Sequence, residues 1–126
     1  MVNPKVVIKK NVDELSGYLA AEIVECLKGE IEKTGQASIV LAGGATYQPV
    51  YQQLAKKYDE IDWAKVQIFI GDDRAVPLDH PDCNFSNVKN VWFDRVKVGL
   101  NVHRIEGERG AVQAATTYQE VIAQYL

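Results

Sequence analysis

The stretch Ala37-Ser38-Ile39-Val40-Leu41-Ala42-Gly43-Gly44-Ala45-Thr46 decides the fold. Its first six residues are almost continuously apolar, yet too few for a buried helix. Continuous rather than alternating apolarity marks a strand covered on both faces, as in a parallel sheet. Gly43-Gly44 then permits positive φ and a close turn, and a helical pattern follows with Val50, Leu54 and Tyr58 at four-residue spacing. A second buried run, Val66-Gln67-Ile68-Phe69-Ile70, ends in Gly71-Asp72-Asp73-Arg74, and Val102-His103-Arg104-Ile105 reads as another short strand.

Working outward, Lys5–Ile8 is a β-branched run that predicts a first strand. Asn11 with Glu14 has capping-box spacing, and Leu15, Leu19, Ile23 and Leu27 form the apolar stripe of a helix that Thr34-Gly35 should stop. Cys26 lies beside that stripe and reads as a small buried hydrophobe. After the strand Val66–Ile70 a polar loop, Ala75–Asn84, precedes helical periodicity through Phe85, Val88, Trp92 and Val96. The final stretch places Ala111, Ala115, Tyr118, Ile122 and Tyr125 on one helical face. Strands alternating with helices predict an α/β layer fold with a mainly parallel sheet, residues 1–126 forming one domain.

Composition narrows the function. Lys plus Arg is 14 and Asp plus Glu 17, a formal charge of −3, so the electrostatic footprint of a nucleic-acid or anionic-membrane binder is missing. No apolar run approaches the roughly 20 residues needed to span a bilayer. Neither the start of the chain nor its two cysteines, Cys26 and Cys83, carries the mark of a secreted protein. A cytoplasmic location is expected. Cys83, with no sequence-local activating partner, reads as a surface loop thiol. His80 and His103 are the only histidines and lie in no metal-ligand spacing, so no metal site is expected.

In parallel α/β sheets ligands sit beyond the carboxyl ends of the strands, where both unusual polar clusters fall. Gly43, Gly44, Ala45 and Thr46 can present backbone N–H groups to an anion, or simply make a tight β-to-α turn. Thr46 can cap the helix or offer a hydroxyl to a phosphate. The phosphate-loop and dinucleotide glycine patterns are both missing. In Asp72-Asp73-Arg74 the two acids should point to opposite sides, one toward a ligand and one toward a neighbour. Arg74 can give a charge-assisted contact worth about 1.5–3 kcal/mol. The competing reading is a solvated charge cluster.

Taken together, these segments resemble the 6-phosphogluconolactonases and their relatives, the glucosamine-6-phosphate deaminases. The motifs, in chain order, are Gly43-Gly44-Ala45-Thr46-Tyr47-Gln48-Pro49-Val50-Tyr51 with Leu54-Ala55, then Asp62-Trp63-Ala64-Lys65-Val66, Asp72-Asp73-Arg74-Ala75-Val76-Pro77 and Asp79-His80-Pro81-Asp82-Cys83-Asn84. Asn101–Ile105, a Gly107-Glu108 turn and a last helix with Ala114-Ala115 and Tyr118 complete them. Arg74 is similar to the lactonases, where the deaminases usually have tyrosine. Ala45, Tyr47 and Asp73 depart from the usual serine, proline and glutamate.

The resemblance implies a three-layer Rossmann-like fold and hydrolysis of 6-phosphogluconolactone to 6-phosphogluconate without a cofactor. It implies that Gly43, Gly44, Ala45 and Thr46 cradle the phosphate of a sugar lactone or sugar phosphate, with Arg74 as clamp and Asp73 beside it. Asp72 would face the sugar as the catalytic candidate, and Asn84 would support the loop or touch substrate. The family's Gly-x-Asp-Gly-His segment, whose histidine is thought to activate water, does not occur here. The chain thus resembles the amino-terminal half of the enzyme and is expected to bind phosphosugar with little turnover. A non-catalytic phosphosugar-binding module and a deaminase relative are the alternatives. A free strand edge also predicts self-association, or pairing with a carboxy-terminal half.

Overall fold

Asn11 opens the first helix, α1 (Val12–Thr34), by accepting a hydrogen bond from the Glu14 amide at 2.9 Å. The other half of the expected box is displaced: Glu14 Oε2 accepts from the Lys10 amide at 3.4 Å. Gly35, at φ +85°, ends the helix with its N–H on the Ile31 carbonyl, a left-handed position that a Cβ would strain. The structure, a computed structural model describing residues 2–126, continues with β1 (Ala37–Leu41), α2 (Gln48–Ala55), β2 (Val66–Ile70), α3 (Asn84–Val91), β3 (Asn101–His103) and α4 (Ala111–Tyr125). Pro49 sits in the first turn of α2, where its missing N–H costs nothing.

The three strands lie in the order β1-β2-β3, all parallel, with Ile39 opposite Ile68 and Ile68 opposite Val102. Alternation then sorts the side chains. Ala37, Leu41, Val66, Ile68 and Ile70 join the core formed with α1, α2 and α3, while Phe69 points the other way, against His103 and Tyr125 of α4. The result is three layers: α1–α3, the sheet, and α4. Trp92, fully buried, stacks on Tyr51 at 5.9 Å and meets Trp63 edge-on at 5.5 Å. Burial of such rings dominates the core energy, each at least about 1.5–3 kcal/mol.

Three expectations are corrected. Lys5–Ile8 belongs to no strand: Val6 and Ile8 are exposed, and the flanking Lys5 and Lys9 lie over the Tyr18 ring of α1. The buried stripe of α1 is Ser16, Ala20, Val24 and Leu27, leaving Leu15 and Leu19 exposed. The core face is thus rotated by one residue onto smaller side chains. The same rotation leaves Cys26 exposed rather than buried. Helix lengths also differ, since α2 stops before Tyr58, and α3 gives way at Trp92 to a 3-10 turn, Phe93–Arg95.

Candidate functional site

The tip of β1 is built from its own helix. Beyond Leu41, the Ala42 carbonyl accepts a hydrogen bond from the Tyr51 hydroxyl of α2 at 2.6 Å. Burial pushes the Tyr51 phenol up to about 12, so it stays a donor at neutral pH. Gly44, at φ +88° and ψ 165°, takes a backbone conformation that is essentially restricted to glycine and swings the chain into a 3-10 turn, Ala45–Tyr47. Thr46 is exposed on that turn and caps neither it nor α2, whose N-cap positions Gly44 and Tyr47 carry no side-chain bond.

The tip of β2 lies alongside. The Gly71 amide donates to the Leu41 carbonyl at 2.8 Å, which carries the parallel pairing one residue past β2. The two acids then diverge, as extended backbone requires. Asp73 turns inward: Oδ1 accepts from the Arg74 and Asn84 amides at 2.8 Å each, and Oδ2 accepts from the Phe85 amide at 3.1 Å. The N-cap of α3, Cys83, makes no cap bond of its own, so Asp73 caps that helix from across the loop with a full negative charge. Cys83 is buried with Sγ 3.7 Å from Asp73 Oδ2, which corrects its reading as a surface thiol. It was hidden by its polar neighbours, which line a loop folded back onto Asp73.

Asn84 joins the two clusters. It is buried, its Nδ2 donates to the Asp72 carbonyl at 3.0 Å and approaches Asp72 Oδ1 at 3.5 Å. A Cβ on Gly43 would overlap the Asn84 side chain, so glycine there is what lets the β1 tip and the start of α3 touch. Asp72 and Arg74 are both exposed, and Arg74 forms no ion pair among the described residues. Their side chains are the ones of this cluster that face solvent.

A cavity of about 470 Å³ opens beside the β2 tip, walled by Asp72, Asp73 and Arg74 on one side and by Ala111, Ala115, Tyr118 and Ile122 of α4 on the other. Gly43–Thr46 does not line it. The two clusters are therefore joined through Asn84 while only the acidic-basic one faces this cavity. Sequence reasoning missed three supporting residues. Tyr118 donates its hydroxyl to the Ile70 carbonyl at 2.7 Å and fixes the end of β2, as Tyr51 fixes that of β1. Gly107 is buried against the Arg74 carbonyl, where a Cβ would overlap it. Tyr118 carries a helical-face signal and Gly107 a turn signal, while Tyr51 enters only as part of the motif that resembles the family.

The histidines are engaged elsewhere. His103 Nε2 is 2.7 Å from Gln67 Oε1, and the ring stacks on Phe69, with burial pushing its pKa down. His80 Nδ1 accepts from the Asp82 amide at 3.1 Å in the exposed loop. Among the described residues no three His, Cys, Asp or Glu side chains converge as a metal site, and no helix is long and apolar enough to cross a membrane.

Parallel strands whose adjacent carboxyl ends carry a glycine turn and an exposed arginine make this an α/β protein, an architecture in which ligands as a rule sit beyond the strand tips. The sequence matches the glucosamine-6-phosphate isomerase/6-phosphogluconolactonase family over residues 10–126, and the chain belongs to that family. It is 32% identical over 119 residues to the 6-phosphogluconolactonase of Thermotoga maritima, covering 94% of this chain and 53% of that one. It is 35% identical over 97 residues to that of Synechocystis, covering 75% and 40%. The crystal structure of the Thermotoga maritima 6-phosphogluconolactonase superposes with a TM-score of 0.82, at 30% identity, over 95% of this chain and 53% of that one. A monomeric glucosamine-6-phosphate deaminase shares the fold at a TM-score of 0.77 and 16% identity. The chain spans about half the length of the curated relatives it matches.

Proposed function

We propose that residues 1–126 form a single unit equivalent to the amino-terminal half of a cytoplasmic 6-phosphogluconolactonase, the half that holds the sugar phosphate. The observation that carries this reading is the division of labour at the β2 tip: Asp73 and Asn84 are consumed in joining the loops, while Asp72 and Arg74 stay exposed at the cavity. Arg74 clamps the phosphate. Gly43, Gly44, Ala45 and Thr46 form its cradle through backbone amides, and Asp72 orients the sugar. Asp73 and Asn84 act through the backbone they hold. In the complete reaction water attacks the lactone carbonyl as a base takes its proton, and the tetrahedral oxyanion collapses by breaking the bond to the ring oxygen, which receives that proton and leaves the ring-opened acid.

In this reading the base lies outside this sequence, which is supported by His80 and His103 making their contacts elsewhere and not lining the cavity. The purified chain should bind 6-phosphogluconate yet open the lactone about 10²–10⁴ times more slowly than a complete lactonase, the usual cost of a missing base. Calorimetry and ring opening followed by NMR test both parts. Binding abolished by Arg74→Ala, with slow turnover, supports the reading. Lactonase rates from this chain alone, or affinity indifferent to Arg74, refute it. We further propose that the chain associates with itself or with a carboxy-terminal half along the open side of its sheet.

A further inference from the structure

Arg74 is a long, exposed side chain, and holding it in one direction costs entropy that a rigid backbone reduces. Its peptide unit is restrained on every side. The Arg74 amide donates to Asp73 Oδ1 at 2.8 Å, its carbonyl accepts from the Val76 amide at 2.9 Å, and Gly107 closes against that same carbonyl. Gly107 opens a tight 3-10 turn, Gly107–Arg109, in which the Gly110 amide returns to the Gly107 carbonyl at 3.1 Å.

Arg104 connects both supports. Its Nη1 donates to Glu108 Oε2 at 3.0 Å and its Nη2 to Glu108 Oε1 at 2.5 Å, a two-pronged bond that closes the Gly107 turn. Glu106 stands 3.9 Å from the same guanidinium. On its other side Arg104 lies over the Phe85 ring, 5.7 Å from the centroid, and the Phe85 amide is one of those that hold Asp73. One planar cation therefore bears on the Gly107 turn that meets the Arg74 carbonyl, and on the start of α3 that anchors Asp73. Lysine supplies the charge but neither the fork nor the flat face. Exposed ion pairs contribute little as a rule, but this pair is two-pronged and partly covered.

We infer that Arg104 is a positioning residue for Arg74, acting through Glu108 and the Gly107 turn on one flank and through Phe85 on the other. This deepens the phosphate-clamp reading, on which its consequence for affinity rests. The mechanical claim does not need a ligand, so the experiment has two readouts. Amide hydrogen exchange by mass spectrometry reports the 72–76 and 83–85 segments directly. Titration with 6-phosphogluconate reports affinity. Arg104→Lys and Glu108→Gln, both mild enough to fold, are compared with wild type, with circular dichroism and thermal midpoint as fold controls.

Both variants should speed exchange in 72–76 several-fold while β1 and α1 keep wild-type rates. Affinity should fall about three- to tenfold, the effect of one hydrogen bond, and the loss should vanish when either change is placed on Arg74→Ala. Unchanged exchange in 72–76 overturns the inference whether or not ligand binds. So does an affinity loss that persists undiminished without Arg74. If Arg74→Ala alone leaves affinity untouched, the phosphate-clamp reading falls, and exchange still decides whether Arg104 holds the segment.

Discussion

Two neighbours at the β2 tip divide structure from function, and their variants should separate accordingly. Asp73 accepts three backbone amides, among them the first two of α3, so Asp73→Ala removes a charged helix cap. The expected loss is about 1–2 kcal/mol in urea denaturation, at the upper end of capping effects. Arg74 has no ion pair among the described residues to lose, so Arg74→Ala should shift stability by less than about 0.5 kcal/mol while removing phosphosugar affinity. The pair Asp72-Asp73 was legible only as one acid facing each way. Which acid faced which way depends on α3, folded back from ten residues downstream, and no local pattern carries that. Glu108 gives a second test at this scale. Hydrogen bonds from Arg104 hold its carboxyl down to about 2, below the ordinary 4.5. Because the folded value is the lower one, the stabilisation is complete above the ordinary range and is lost as pH falls toward about 2. An NMR titration of the Glu108 side-chain carbonyl should show that low midpoint, and Arg104→Ala should return it toward 4.5.

Among the elements, β1, β2 and the glycine that stops α1 were plain from apolar runs and turn residues, because those signals are local. The facing of α1 was not. Leu15 and Leu19 look like the better core residues, but close approach to β1 and α2 selects Ser16 and Ala20, a choice made by the neighbours. Lys5–Ile8 shows the same limit, since a β-branched run becomes a strand only by pairing, which propensity alone does not secure. The junction of β1 with α3 is equally tertiary, and it can be tested as a pair. Gly43→Ala places a methyl group in the volume of Asn84 and should destabilise the chain by about 1–3 kcal/mol. Asn84→Ala also destabilises, by loss of the Asp72 carbonyl bond. Combined, the two should cost clearly less than their sum, because the truncated Asn84 makes room for the new methyl group. Strict additivity in chemical denaturation would mean that the contact does not restrain either loop.

For the whole molecule, the parallel layer order follows from the alternation of runs, whereas the uneven cover of the sheet becomes visible only in three dimensions. On the α4 side Phe69 is buried at 2% exposure, but Val40, its register partner on β1, is 61% exposed, and Ser38 beside it is exposed as well. α4 covers β2 and β3 and leaves β1 open on that face, and the outer edge of β1 pairs with no strand among the described residues. An apolar residue on an unpaired strand invites another chain, by edge pairing and by burial together. Burying what Val40 still exposes contributes about 1–2 kcal/mol, on the order of tenfold in an association constant. Sedimentation velocity across a hundredfold range of concentration should therefore show the wild-type chain associating. Val40→Lys, which puts a charge into that contact, should move the midpoint severalfold or more higher, while leaving 6-phosphogluconate affinity unchanged because Val40 belongs neither to the core nor to the residues that line the cavity. A wild-type chain that sediments as one monomer throughout, or a Val40→Lys chain that associates as before, would place the association surface elsewhere or remove it.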